Sequence, residues 1–265
     1  MKTLFIMVIF MSISYIFAQI PPIIAHRGAS YDAPENTLGS FNLAWHQNAE
    51  AIEGDFHLTK DKEIVCIHDY DTLRVAKEKW VIAESTYQEL QKLDVGSWKA
   101  PQWAKERIPT LKEVLATIPV GKKFFLEIKC GVEIMPYLVK QIRETHVAHE
   151  QIVFISFSSE VIAECKKHLP SIKAYWLTSY KKENDAWRPS IQEILALLKA
   201  IKADGLDCRA HECIDTSFVN SLKKEGFEFH IWTVDDVAVA KHFIALGVQS
   251  ITSNRPQWLK SELEK

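Results

Sequence analysis

Between Ala51 and Asp69 the chain reads AIEGDFHLTKDKEIVCIHD. Its first half alternates: Ile52, Gly54, Phe56 and Leu58 fall on one face of an extended strand, Glu53, Asp55 and His57 on the other. Two carboxylates one strand repeat apart, roughly 7 Å between Cα atoms, are close enough to converge on one cation. The turn Lys60-Asp61-Lys62 reverses the chain, and the apolar run Ile64–Ile67 brings His68 and Asp69 back beside them. From residue types alone this is either a metal site or a solvated strand face.

Two further clusters carry compatible chemistry. His26-Arg27-Gly28 closes the expected first strand. Arg27 offers planar, bidentate recognition of an oxyanion, and Gly28 lets the backbone turn close to a ligand. Taken alone, a histidine at a strand end is more often a hydrogen-bonded core residue than a catalyst, and Asn36 or Thr37 can cap the helix that follows. Glu127 and Lys129 repeat the i, i+2 spacing on a later strand. They are either a plain ion pair, or a third carboxylate for the cation beside a lysine for an anionic substrate. Three carboxylates with water and substrate oxygen suit a hard divalent cation, Mg²⁺ or Ca²⁺. Acids that hold a cation, joined by basic groups that hold an anion, point to phosphate ester chemistry. Two histidines supply a general acid and a general base near neutral pH. No nucleophile elbow, P-loop or kinase motif competes.

These residues need a scaffold that gathers strand ends. The hydrophobic spacing predicts eight strands, each followed by a helix. The strands run over Ile23–His26, Ala51–Leu58, Lys123–Ile128, Gln151–Ser156, Lys173–Leu177, Gly205–Asp207, Glu228–Thr233 and Ser250–Ser253. The helices run over Thr37–Gln47, Thr110–Ile118, Ile134–Thr145, Ser159–His168, Ser190–Ile201, Thr216–Glu225 and Asp236–Leu246, with a last one opened by Pro256. Thr110 with Glu113 forms a capping-box pattern, and Gly226 and Gly247 follow helix ends. Polar residues recur at the C-terminal ends of many strands: His26, Glu53, Asp55, Glu127, Ser156, Asp207, Trp232 and Asn254. An open doubly wound sheet lacks its Gly-rich loop here, and only a closed barrel brings so many ends to one mouth. The expected fold is therefore α/β, a (β/α)8 TIM barrel, with an inserted segment at about 70–108 after the second strand.

The 265 residues carry a formal net charge of −2, which argues against a general nucleic-acid binder, and suit one large domain over 19–265. Residues 1–18 read as a signal peptide: Lys2, then an apolar run too short to span a membrane comfortably, then Ala18 as a cleavage point. The expected location is periplasmic or secreted, with no stable membrane anchor. The five cysteines, Cys66, Cys130, Cys165, Cys208 and Cys213, show no zinc spacing. Cys66 and Cys130 read as small core residues, and Cys208 and Cys213 are spaced to bridge a short loop in an oxidising compartment.

The blocks HRGAS…APENT at 26–37, EGDFHLTKD…IHD at 53–69, EIK at 127–129, IWTV at 231–234 and TSNRP at 252–256 resemble the glycerophosphodiester phosphodiesterase family across nearly the whole chain after residue 18. The resemblance implies a (β/α)8 barrel that uses one divalent cation to hydrolyse a small-molecule glycerophosphodiester to glycerol 3-phosphate and an alcohol. It implies Glu53, Asp55 and Glu127 as metal ligands, His26 and His68 as the acid–base pair, and Arg27 and Lys129 as the groups that neutralise the phosphate. Trp232 and Phe157 would be aromatic walls beside the glycerol, although both types also serve as core filler. Glu35 reads as a turn residue or a support behind the ligands. The chain departs from the family's usual pattern at Gln249 and at Asn254, where the family usually carries Asp; Asn254 can still cap the last helix. The alternatives are a related barrel phosphodiesterase acting on intact phospholipids, and a non-catalytic exported barrel that binds a polyol phosphate.

Overall fold

Runs of Ile, Val, Phe and Leu too apolar for a solvated sheet face form strands buried on both sides, which is the environment of a parallel barrel. A computed structural model describes residues 19–265; the expected signal peptide at 1–18 lies outside the described residues. The barrel strands are β1 (Ile23–Ala25), β2 (Ala51–Leu58), β3 (Lys123–Ile128), β4 (Ile152–Ser156), β5 (Lys173–Thr178), β6 (Gly205–Arg209), β7 (Glu228–Trp232) and β8 (Ser250–Ser253). Each pairs in parallel with its sequence neighbours, and β8 pairs with β1 while β1 pairs with β2, so the sheet closes.

Eight helices follow the strands: α1 (Leu38–His46), α2 (Leu111–Ala116), α3 (Met135–Glu144), α4 (Ser159–His168), α5 (Ile191–Ala200), α6 (Thr216–Lys224), α7 (Val237–Leu246) and α8 (Pro256–Leu263). Most start at residues whose side chains accept an otherwise orphaned backbone N–H. Thr37 caps α1, the Thr110/Glu113 capping box opens α2, and Gly247, at φ 80°, ends α7. Asp215, one residue earlier than expected, caps α6.

Two apolar layers result from strand alternation. Ile52, Phe56, Phe124, Leu126 and Phe154 point outward and are sealed under the helices. A smaller cluster, including Ile24, Phe125, Val153, Ile155, Tyr175 and Leu177, fills the barrel interior. The inward residues nearest the C-terminal strand ends are polar instead, and there the packed core gives way to a cavity.

The segment after β2 is more than a loop. The expected return arm is a short antiparallel strand, Ile64–Cys66, on β2. Val65, Ile67, Val75, Ile82, Leu90, Leu93, Val95 and Ile108 then form a satellite core for the insertion. It is fastened to the β1–α1 connection by Lys99 Nζ on the Ser30 carbonyl and to the first turn of α1 by Glu106 accepting from the Gly39 N–H. A two-stranded hairpin after β5, Lys181–Glu183 with Ala186–Arg188, was not apparent in the sequence. Its first strand is exposed and charged and its second, Ala-Trp-Arg, is too short to show a hydrophobic period. Cys208 and Cys213 are both free thiols rather than a bridge.

Phe124 and Phe56 are both fully buried, with ring centroids 5.7 Å apart in an edge-on arrangement between the barrel and its helices. Truncation by Phe124→Ala should lower the unfolding free energy by about 3–5 kcal/mol, read from the midpoint of urea denaturation. A loss below about 1 kcal/mol would show that this layer does not hold the barrel together.

Candidate active site

Glu53, Asp55 and Glu127 converge because β2 and β3 are neighbours in register. Asp55 lies opposite Glu127, and Glu53 sits one pleat earlier on the same inner face. One carboxylate oxygen from each lies within 4.8 Å of the other two. All three are buried. Glu53 Oε2 accepts the Arg27 backbone N–H at 2.9 Å, while Oε1 is buried with no partner among the described residues. Asp55 accepts from Asn36 Nδ2 at 2.7 Å and lies 3.2 Å from Arg27 Nε and 3.4 Å from Lys129 Nζ. Lys129 Nζ is also 2.8 Å from Glu127.

Burial sets the electrostatics of this cluster. It raises Glu53 well above the ordinary carboxylate range, with Asp55 and Glu127 adding repulsion. Burial and then Asp55 push Glu127 up to about 7. Burial also opposes ionisation of Asp55, but Arg27 and Lys129 outweigh it and hold that carboxyl well below its usual value. Three acids thus share two protein cations, and one buried oxygen has nothing to bind. A set of hard oxygen donors with that deficit fits a divalent cation such as Mg²⁺ or Ca²⁺, and Glu53 Oε1 is the atom whose missing partner the ion would supply.

The two histidines stand on separate supports. His26 Nδ1–H donates to Asn254 Oδ1 at 2.7 Å, and its Nε2 lies 4.0 Å from Glu53. Burial, with Arg27 beside it, lowers His26 to about 4, so the ring is neutral at pH 7. Asn254 is itself fixed: its Nδ2 donates to Asp235 Oδ2 at 2.6 Å and its backbone N–H to Asp235 Oδ1 at 2.8 Å. Its carbonyl oxygen must therefore face the imidazole, which fixes the proton on Nδ1. His68 Nδ1–H donates to Asp69 at 2.6 Å. Asp69 accepts from Arg74 Nε at 2.7 Å; Arg74 also donates to Glu35 at 2.8 and 2.9 Å, and Glu35 accepts from Arg27 at 2.9 Å. Alternating charges thus tie the insertion to the rim, from Arg27 through Glu35, Arg74 and Asp69 to His68. His57, on the polar face of β2, donates through Nε2–H to the His68 carbonyl at 3.1 Å.

A cavity of about 150 Å³ collects His26, Arg27, Glu53, His68, Glu127 and Lys129 on one side. Asp55 lies just behind them and does not line it. Phe157 and Trp232 meet edge-on at 5.6 Å on the other side, above Ile155 and Leu177. Phe157 is 47% exposed, so it is a rim residue and not core. Asn254 does not cap α8 as expected: Arg255 holds the N-cap position, while the Asn254 side chain is turned onto His26 and Asp235. Asn36 leaves the helix cap to Thr37 and binds Asp55 instead. Gly28, at φ 79°, has the Ser40 hydroxyl 2.4 Å from where a Cβ would stand, so the turn beside Arg27 admits no larger residue.

Asp69 was legible beside His68, but Arg74 and Asp235 were invisible as site residues because Glu35 and Asn254, which they bind, are distant in sequence. Asp207 was legible as a polar strand-end residue. Its inward direction follows from parity, since Leu206 and Cys208 on either side pack outward.

A closed (β/α)8 barrel with an acid cluster, two anchored histidines and two cations at its C-terminal mouth defines a phosphoester-processing enzyme. The family model described as the glycerophosphoryl diester phosphodiesterase family matches residues 26–258. A glycerophosphodiester phosphodiesterase from Caldanaerobacter subterraneus subsp. tengcongensis is 32% identical over 250 residues, covering 92% of this chain and 98% of the relative. One from Bacillus subtilis is 26% identical, covering 88% and 83%. Among solved structures, an Oleispira antarctica phosphodiesterase in complex with the product sn-glycerol-3-phosphate superposes with a TM-score of 0.83 at 29% identity, covering 93% of this chain and 98% of that one. The chain belongs to the glycerophosphoryl diester phosphodiesterase family and is a phosphodiester hydrolase of that class.

The Asp235–Asn254 contact requires an amide on one side. Asn254→Asp should set two carboxylates face to face and cost about 1–3 kcal/mol, seen as a lower thermal midpoint. Asp235→Asn in the same chain should restore the lost stability. An Asn254→Asp protein as stable as the parent would contradict the contact.

Proposed function

We propose that this enzyme hydrolyses glycerophosphodiesters to glycerol 3-phosphate and an alcohol, with His26 as general base and His68 as general acid. The observation that carries the reading is the pair of imidazoles, each held through Nδ1 by its own partner, at one cavity shared with a carboxylate triad and two cations. Neutral His26, with its proton on Nδ1, has Nε2 free to take a proton from the nucleophile, which is water or the neighbouring glycerol hydroxyl acting through a cyclic phosphate. His68, oriented by Asp69, gives a proton to the departing alkoxide. Arg27 and Lys129 hold positive charge where the phosphate must sit. A divalent cation, Mg²⁺ or Ca²⁺, held by Glu53, Asp55 and Glu127 would supply Lewis-acid polarisation of the phosphate. Trp232 and Phe157 give the glycerol carbons an apolar wall. The small cavity suits a polyol phosphate better than acyl chains, and the glycerol 3-phosphate complex of the Oleispira relative supports that substrate class.

Release of glycerol 3-phosphate from a panel of glycerophosphodiesters, with Mg²⁺ or Ca²⁺ restored after chelation, tests the reading. Turnover should appear with at least one metal and vanish in chelator. His68→Ala should lower kcat by about 10²–10⁴-fold with metal affinity retained. Near-normal turnover in His68→Ala would overturn the acid assignment, and no release from any diester would overturn the function.

A further inference from the structure

Among the described residues that line the cavity, Asp207 is the one ionisable group for which the mechanism above has no use. It lies on β6 between Leu177 of β5 and His230 of β7, and its side chain is 1% exposed. It lines the same cavity as His26, Glu127 and Trp232. Its Oδ1 has no hydrogen-bond partner, and among the described residues no Lys, Arg or His pairs with it. Its backbone carbonyl is occupied, accepting from Trp232 Nε1 at 3.3 Å, so the free valence belongs to the carboxyl group alone.

A buried carboxyl left without a partner costs free energy that an apolar residue of similar size would avoid. Barrel interiors are ordinarily filled by Val, Ile and Leu; Ile155, Leu177, Val153 and Phe125 are apolar here, and the polar neighbour His230 is hydrogen-bonded to Ser250. The exception therefore marks the point where something other than the protein completes the hydrogen bonds.

We propose that Asp207 is a specificity-determining residue that binds a hydroxyl group of the substrate's polyol. This rests on the functional reading given above and names the residue that would recognise the polyol. The phosphate is expected elsewhere in the cavity, because among the described residues no Lys, Arg or His pairs with Asp207 to hold an anion there. The anion-binding cations Arg27 and Lys129 pair with Asp55 and Glu127, while Asp207 stands beside Leu177 and Trp232. A carbon chain lying on that apolar wall brings a hydroxyl to the carboxyl group. Burial, reinforced by Glu127, raises Asp207 well above the usual carboxylate range. A neutral acid both donates to and accepts from a hydroxyl, which favours a polyol over a quaternary ammonium head group that would need the ionised form.

The test compares ligands that share the phosphate and differ in the hydroxyls. Inhibition constants for glycerol 3-phosphate and methyl phosphate, with kcat/KM for glycerophosphoethanol and glycerophosphocholine, are measured on the metal-loaded parent, Asp207→Leu and Asp207→Asn. Asp207→Leu should weaken glycerol 3-phosphate by about 10–100-fold, as expected for a lost hydroxyl contact, and lower both kcat/KM values alike. Methyl phosphate should change by less than about 3-fold, within the context scatter of a site it does not touch. Asp207→Asn, which keeps a donor and an acceptor, should restore most of the loss. An equal loss for both phosphates, or none, would overturn the proposal, as would a loss confined to glycerophosphocholine, which would place the head group there. A parent that cleaves neither diester would overturn the functional reading itself. A parent that cleaves both, with no shift in the two inhibition constants' ratio, would overturn only the role of Asp207.

Discussion

Three carboxylates forced into one buried space repel each other, and much of the surrounding structure answers that repulsion. Arg27 and Lys129 are spent on it: both approach Asp55, and Lys129 also reaches Glu127. The result is uneven. Asp55, flanked by both cations and by Asn36, stays ionised, while Glu53 and Glu127 are pushed toward the protonated form. Like charges at this spacing cannot all ionise in a low dielectric without further positive charge. A divalent cation removes the conflict at once, and the free Glu53 Oε1 stands where its partner is lacking.

The barrel is what makes such a cluster mechanically possible. Register between β2 and β3 sets the acids opposite each other, and the outward layer of Phe56, Phe124 and Phe154 locks that register from behind. A one-residue slip would turn Glu53 and Asp55 into the apolar layer. The histidines are then added from the two flanks. His26 is held by the end of the chain through Asn254 and Asp235, His68 by the insertion through Asp69 and Arg74. Elements more than two hundred residues apart in sequence therefore settle the tautomer and angle of one imidazole, so the fold must close before the site exists.

The fold was readable because its strands are short apolar runs of regular spacing and most of its helices begin with Ser, Thr or Asp at the cap. The acids were readable because strand parity puts Glu53 and Asp55 on one face whatever lies around them. Contacts between distant segments were not readable: nothing local distinguishes Arg74 from other exposed arginines, or Asp235 from its neighbour Asp236, which does cap α7. Asn254 shows the limit well. Its residue type suits a helix cap, and its position next to Pro256 suggests one, yet a better hydrogen-bonding arrangement with Asp235 and His26 competes and wins. The hairpin after β5 escaped notice because exposed Lys and Glu carry no period.

Thermal unfolding in chelator and in saturating Mg²⁺ or Ca²⁺, on the parent and on Glu53→Gln, measures the buried repulsion directly. In the parent, one of the two ions at a hundred times its Kd should raise the midpoint by about 5–10 °C. Glu53→Gln, which keeps the shape and cannot ionise, should be at least as stable as the parent in chelator and should lose most of the shift. A parent whose midpoint ignores both ions, or a Glu53→Gln protein that is markedly less stable in chelator, would contradict the view that this cluster is built around a missing positive charge.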